Sequence, residues 1–231
     1  MEKMVKNKNI VISMGGSLIV PNEINAEWIN GFKKIIEKHI SKGYKFIIIT
    51  GGGKTARNYQ DAAKKITKLT RDDLDWLGIH ATRINAHFIR TIFRNHAYPK
   101  IIKNPNEKII FKEKILIAAG WKPGFSTDYD AVLIAKNFKI KKLVNLSNID
   151  YVYDKDPNKF KDARKIENIS WKEFRKIVGD KWDPGLNSPF DPVASKEAEK
   201  LKMEVAIING NNLGNFEKYL GEYDFVGSVI K

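Results

Sequence analysis

The sequence predicts an α/β protein: a mostly parallel sheet covered by helices on both faces. Two observations carry that expectation. Short runs rich in isoleucine, valine and phenylalanine alternate along the chain with stretches whose apolar residues recur at helical spacing, the order expected of successive βα units. The chain also has 231 residues, enough to bury a substantial core.

The elements follow in order. Residues 9–14, "NIVISM", read as a buried strand. Residues 24–43, "INAEWINGFKKIIEKHISKG", read as an amphipathic helix, because Ile24, Trp28, Ile29, Phe32, Ile35, Ile36 and Ile40 share a face and Gly43 is a natural stop. A strand over 45–50 runs into three glycines, and a helix over about 54–66 follows. Residues 71–97 read as one long helix. A strand over 114–119 ends in the turn "GWKPGFSTD", and "YDAVLIAKNF" returns as a helix. The strand at 142–148 leads into a long loop, "IDYVYDKDPNKFKDARKIENIS". Helices over 171–179 and 191–202, a strand over 204–210 and a last helix, "LGNFEKYL", complete the pattern. No repeat or low-complexity linker interrupts it, so one domain over 1–231 is expected.

Composition narrows the class. There is no cysteine, which removes disulfides and thiolate metal sites and gives no sign of secretion. The first apolar run is too short for a signal-peptide core, and no segment approaches the ~18 apolar residues of a membrane span. A cytoplasmic protein is expected. The 41 basic residues against 27 acidic give a net charge of +14, which favours anionic partners. No block of five or six like charges occurs, so a basic tail for nucleic acid is absent and nucleic acid is an unlikely partner.

Ligands of such sheets collect at the carboxyl ends of the strands, and four turns fall there: "MGGS", "TGGGKTAR", "GWKPGFSTD" and "LSNIDYVYDKDP". The glycine turn fails as a Walker A loop, since Ile48 stands where the first glycine is required. It fits the Rossmann fingerprint only loosely. Gly51, Gly53 and Ala56 match, but Asp72, Asp73 and Asp75 begin a helix instead of ending a strand. The general mechanism survives: amides at a helix N-terminus face outward, and glycine lets an anion approach them. Lys54 and Arg57 would add charge-assisted contacts. "MGGSL" offers a second cradle of the same type, so two phosphate groups brought face to face are expected.

The motifs "GGGKTAR", "DWLGIHATRINA", "GWKPGFSTD", "NIDYVYDKDP" and "FDPVASK" together resemble the amino acid kinase superfamily, and within it the uridylate kinases of archaeal type, over about residues 9–230. The resemblance implies a three-layer α/β/α sandwich, the amino acid kinase fold, with a central, largely parallel eight-stranded sheet. It implies transfer of a phosphoryl group from ATP to UMP with Mg²⁺, in a homohexamer built from dimers. An N-terminal lobe would carry the phosphate acceptor, and a C-terminal lobe from about residue 114 the ATP nucleoside. By the same resemblance Gly52 and Asp75 match UMP positions, the aspartate reaching the ribose hydroxyls. The turn Trp121, Lys122, Pro123, Gly124, Phe125, Ser126 and Thr127 matches the segment that wraps uracil and ribose. Gly16, Ser17, Gly53 and Arg57 match positions around the ATP phosphates, and Ser147, Asn148, Tyr153 and Asp156 the ATP nucleoside site. Asp191 and Lys196 match a pair near the phosphates, so that Lys54 and Asp191 are the expected catalytic residues. No protein metal ligand set is expected.

Three positions depart from that pattern. Ser13 stands where many members carry lysine and archaeal-type members often an acid. Tyr151 replaces a usual glycine, and Trp121 a small hydroxyl residue. Taken singly, several site residues also have plain structural readings. Asp75 could favour a helix dipole, Asp156-Pro157 could be a turn, and Asp191 before Pro192 is a good N-cap. Three further readings stay open: another small-molecule kinase of the same superfamily, a nucleotide-binding or storage protein without catalysis, and a basic nucleic-acid binder.

Overall fold

The computed structural model describes residues 8–157, 159–179 and 188–231. Seven strands form one sheet: β1 (Asn9–Met14), β2 (Lys45–Thr50), β3 (Ile115–Ala118), β4 (Lys142–Ser147), β7 (Asn168–Ile169), β8 (Glu204–Asn209) and β9 (Ser228–Ile230). Their spatial order is β3-β2-β1-β4-β8-β9-β7. The first five are mutually parallel, and β9 reverses against β8. Two short strands, β5 (Val152–Tyr153) and β6 (Lys165–Ile166), pair as a separate hairpin.

Alternation along each strand divides the interior in two. Ile10, Ile12, Met14, Phe46, Ile48, Ile115, Ile117, Val144, Leu146, Ala206 and Ile208 point to one face. There they pack under α1 (Gly16–Ile19), α2 (Ala26–Ser41), α4 (Arg71–Ile92) and α8 (Leu213–Leu220). Val11, Ile47, Ile49, Leu116, Leu143, Val205 and Ile207 point to the other, against α5 (Thr127–Asn137), α6 (Trp171–Val178) and α7 (Pro192–Lys200). The three-layer sandwich is therefore present. α3 (Gly53–Ile66) differs from the other helices in burying none of its residues.

Several expected boundaries shift. The helix expected over 71–97 ends at Ile92. Pro99 lies just beyond, and residues 97–102 instead run beside β3, with bridges Ala97–Ile115 and Ile102–Ala118. Among the described residues the sheet has seven strands where the resemblance implies eight. The expected loop after β4 holds three two-residue strands, too short for periodicity to reveal. α2 begins at Ala26, not residue 24, because Asn25 caps it by accepting the Trp28 N–H.

Phe32 sits at the centre of the first face, fully buried and stacked on Trp28 (5.3 Å) and Phe216 (5.8 Å), with Phe93 edge-on at 6.2 Å. Phe32→Ala should lower the unfolding free energy by about 3–5 kcal/mol, read from urea denaturation as a lower midpoint at unchanged slope.

Candidate active site

All four turns lie on the carboxyl rim of the sheet, because β3, β2, β1 and β4 are parallel neighbours in that order. The first two are pressed backbone to backbone. A Cβ on Gly16 would stand 2.1 Å from the Gly53 nitrogen, and one on Gly53 would stand 2.3 Å from the Gly16 oxygen. Gly53 also has φ +62, a conformation that favours glycine. The fourth turn joins through Gly15 N–H, which donates to Leu146 O at 2.8 Å.

Helix α4 holds the glycine turn from below. Asn85 Nδ2 donates to Gly51 O (2.8 Å) and Gly52 O (3.2 Å), and Thr50 Oγ1 donates to Thr82 O (2.9 Å). Not every amide of the turn is left for an anion. Gly51 N–H donates to Met14 O and Lys54 N–H to Val20 O, both at 2.9 Å.

Beside this turn lies a cavity of about 240 Å³, with Gly52, Gly53, Arg57, Asp75, Gly78, Phe125 and Thr127 in its walls. Six of these seven were singled out in the sequence, and they come from three different segments. Lys54 is not in that wall. Asp75 is released from the capping role open to it, because Thr70 and Asp73 form the capping box of α4. Asp75 instead reaches across the cavity, where Oδ2 accepts the Gly124 N–H at 2.8 Å. In the third turn Trp121 and Phe125 lie 5.3 Å apart, Phe125 stacks on Tyr129 at 5.2 Å, and the Lys122 ammonium sits 4.2 Å above the Trp121 ring. Pro123 completes the turn, and Ser126 caps α5 by accepting the Tyr129 N–H.

A second cluster lies on the other face of the rim, around Asp128. Ser13 Oγ donates to Asp128 Oδ1 at 2.8 Å, and the Asp191 N–H donates to the same carboxylate. Burial first, and then the charge of Asp191, push Asp128 up to about 6 against the pull of the Ser13 hydroxyl. Asp191 is itself raised by burial, although Ala194 N–H and the Ser126 hydroxyl bond to it. It caps α7, with Pro192 in the first turn, so its structural role is real and coexists with its place beside Asp128. Among the described residues no lysine or arginine forms an ion pair with Asp128 or Asp191. Lys196 is exposed on α7.

At the fourth turn, Ser147 Oγ is buried without a hydrogen-bond partner among the described residues. Asn148 is exposed beyond it. Tyr153 lies half-buried in the β5–β6 hairpin. Asp156 starts a turn through its carbonyl, which accepts from Lys159 and Phe160. Tyr151 carries the Lys165 ammonium 4.8 Å above its ring.

Sequence reasoning passed over Asp128, Asp130, Thr82, Arg83 and Asn85. The motifs "TRINA" and "FSTD" contain all but Asp130, yet the partners of these side chains lie dozens of residues away, where spacing gives no signal. A larger groove of about 590 Å³ lies at the opposite, amino edge of the sheet, between Lys8, Lys142, Glu204 and Lys231. None of the four turns reaches it.

Glycine turns and a helix N-terminus at the carboxyl rim, with Arg57 in the cavity wall and carboxylates behind, define a phosphate-binding α/β protein suited to phosphoryl transfer. The chain belongs to the amino acid kinase family, whose profile matches residues 8–209. It is 35% identical over 214 residues to the uridylate kinase of Thermoplasma volcanium, covering 90% of this chain and 92% of that one. It is likewise 35% identical over 205 residues to the uridylate kinase of Methanocaldococcus jannaschii, covering 87% and 90%. The crystal structure of uridylate kinase from Archaeoglobus fulgidus superposes with a TM-score of 0.82 at 30% identity, covering 96% of this chain and 99% of the other. A UMP kinase from Bacillus anthracis, 18% identical, shares the fold with a TM-score of 0.77, over 97% and 96% of the two chains.

Asp130 gives this site a pH signature. It is 1% exposed, and burial, more than its neighbour Asp128, pushes it up to about 7 against the pull of the Trp121 N–H. A carboxyl raised in the folded state stabilises the fold least when ionised, so its penalty grows as pH rises from the unfolded value of about 4 to about 7. Asp130→Asn should therefore be more stable than the parent by on the order of 2–4 kcal/mol at pH 8. The difference should vanish below about pH 4, as read from paired denaturation curves.

Proposed function

We propose that this chain transfers the γ-phosphoryl group of ATP to UMP, giving UDP and ADP. The observation that carries this reading is the 240 Å³ cavity, in which Gly52, Arg57, Asp75, Phe125 and Thr127 meet. In this reading the UMP phosphate lies by Gly52 at the N-terminus of α3, favoured by the helix dipole. The Arg57 guanidinium, which the resemblance matches to the ATP phosphates, stands in the wall of the same cavity, where it can grip the phosphates that meet there. Asp75 accepts from the ribose hydroxyls, and the turn from Trp121 to Thr127 wraps the pyrimidine, with Phe125 as its aromatic wall. The ATP phosphates run along Gly16, Ser17 and Gly53. Lys54 stands at the start of α3 as a charge for the transferring group. The hydroxyl of Ser147, without a partner among the described residues, supports a nucleoside there, with Asn148, Tyr153 and Asp156 of the same segment as its further contacts in this reading.

The chemistry asks little covalent help from the protein, because alignment and neutralised charge supply most of the acceleration. The acceptor phosphate is already a nucleophile, so no side chain must act as its base. Mg²⁺ belongs to this reading, and the residues suit it. Among the described residues no cluster of three or more His, Cys, Asp or Glu could hold a metal alone, whereas Mg²⁺ in kinases is usually held by one or two carboxylates together with phosphates. Asp128 and Asp191 are the two that would serve, and the ion would neutralise phosphate charge when bound.

A homo-oligomer belongs to the same reading, with a hexamer expected from the resemblance. The exposed α3 supports it, since Tyr59 (63% exposed) and Ile66 (84%) lie on a helix that buries nothing in the lone chain. We read the sequence as one domain in which the acceptor side draws mainly on the N-terminal half and the ATP nucleoside on the half beyond residue 114. Among the described residues no helix is long and apolar enough to cross a membrane.

The deciding measurement is ADP release with MgATP and, in turn, UMP, CMP, carbamate, acetylglutamate and isopentenyl phosphate. Turnover with UMP is expected. Activity on another acceptor but none on UMP, or ATP binding with no transfer at all, would overturn the reading. Arg57→Ala should lower kcat/KM for UMP by ~10²–10³, the usual loss for one pre-organised donor, with the fold unchanged by circular dichroism.

A further inference from the structure

The turn between β3 and α5 has two sets of moorings that behave differently. At its start it is held by side chains of three residues, Thr82, Arg83 and Asp130. Gly120 N–H donates to Thr82 Oγ1 (2.8 Å), Trp121 N–H to Asp130 Oδ2 (3.0 Å), and Arg83 Nη2 to Trp121 O (3.0 Å). Near its middle, Gly124 N–H donates to Asp75 Oδ2 (2.8 Å). Gly124 is exposed and has φ +83, so little else constrains it there. Asp75 lines the acceptor cavity, whereas Asp130 does not.

A ligand that needs the Asp75 carboxylate must share or replace the Gly124 N–H. At that moment the middle of the turn loses its tie, and it is held only from its two ends, by the bonds at its start and by Ser126 where α5 begins. We propose that Asp130 is a positioning residue for the acceptor site, fixing Trp121 from inside α5 while Asp75 exchanges Gly124 for the ligand. The proposal rests on the acceptor reading given above.

Four features support it. Trp121 is gripped on both its backbone groups, the amide by Asp130 and the carbonyl by Arg83, from two different helices. Its ring lies 5.3 Å from that of Phe125, which lines the cavity, so a displaced Trp121 shifts an acceptor wall. The Lys122 ammonium, 4.2 Å over Trp121 and 5.2 Å over Phe125, ties the two rings together. Finally, Asp130 is costly where it stands. Its second oxygen, Oδ1, is buried without a partner among the described residues, a loss that a purely structural position would not need to carry.

The test compares Asp130→Ala and Asp130→Asn with the parent in steady-state kinetics, varying UMP at saturating MgATP and the reverse. Asp130→Ala should raise the KM for UMP roughly 10–100-fold, the scale of leaving a part-buried N–H without its acceptor. The KM for ATP, and kcat at saturating UMP, should hold, the mark of lost binding without lost chemistry. Asp130→Asn, whose amide oxygen still accepts, should restore most of the UMP affinity. An unchanged KM for UMP in Asp130→Ala overturns the proposal. So does a parallel loss in kcat and both KM values, or an asparagine variant as impaired as the alanine one. Amide hydrogen exchange at Trp121 without substrate separates this from the acceptor reading. Faster exchange in the alanine variant, beside a parent that leaves UMP untouched, would sustain the anchor and refute the substrate. Unchanged exchange would refute the anchor even in an active UMP kinase.

Discussion

Two glycine turns pressed against each other set the geometry of this rim. Side chains are excluded from the contact, since a Cβ on Gly16 would fall 2.1 Å from the Gly53 nitrogen and 2.6 Å from the Gly51 carbonyl carbon. The contact fixes how the ends of β1 and β2 meet, and with them the directions of α1 and α3. It also takes up part of the hydrogen-bonding capacity that a glycine turn is usually credited with, through Gly51 and Lys54. In the proposed function an anion here depends on the remaining amides, the α3 dipole and the Arg57 side chain. Glycine in so ordered a place carries an entropic cost, offset by Asn85, whose amide holds two of the carbonyls from α4.

Charge is arranged against the overall balance of the molecule. The chain carries +14, yet behind the rim stand Asp128, Asp130 and Asp191, all raised by burial. Ser13 contributes a neutral hydroxyl to Asp128 at the position where the family resemblance leads one to look for a lysine or an acid. A hydroxyl satisfies one lone pair but compensates no charge, and a buried carboxylate without a cation is destabilising. Positive charge therefore has to arrive with what binds, or from side chains such as Lys54 and Lys196. The site is least stable when nothing is bound, and binding of a cation-bearing nucleotide would relieve it.

Most of the architecture was legible because buried parallel strands and amphipathic helices write their periods directly into sequence. Strand limits at Asn9–Met14 and Lys45–Thr50 and the last helix at Leu213–Leu220 agree with the reading residue for residue. What was missed has physical reasons. β5, β6 and β7 have two residues each and β9 three, so no alternation can be counted in them. The helix from residue 71 stops short of its sequence pattern: "FRNHA" has acceptable helix formers, whereas Pro99 and pairing of residues 97–102 with the edge of β3 pull that stretch outward. The four turns were found because glycine, hydroxyl and charge after an apolar run are local signals. Asn85, Arg83 and Asp130 were not, because their partners lie 34, 38 and 9 residues away and exist only once the sheet has formed.

Asp75 shows how the structure resolves what composition leaves open. In "TRDDLDW" three carboxylates crowd one helix start, and any of them could serve its dipole. The capping box assigns that task to Asp73, whose carboxylate accepts both the Thr70 N–H and hydroxyl, and burial of the cap is not required. Asp75, half a turn further on, faces the cavity with its carboxylate held by a backbone N–H. In the proposed function that N–H stands in for a ligand hydroxyl, keeping the carboxylate aimed and the cavity walls together before anything binds. A ligand then replaces one hydrogen bond with another instead of ordering a loose loop, which lowers the conformational cost of binding. Such an exchange leaves the wall in place only if the turn is anchored independently, and the bonds to Trp121 and Gly120 are the ones positioned to do it.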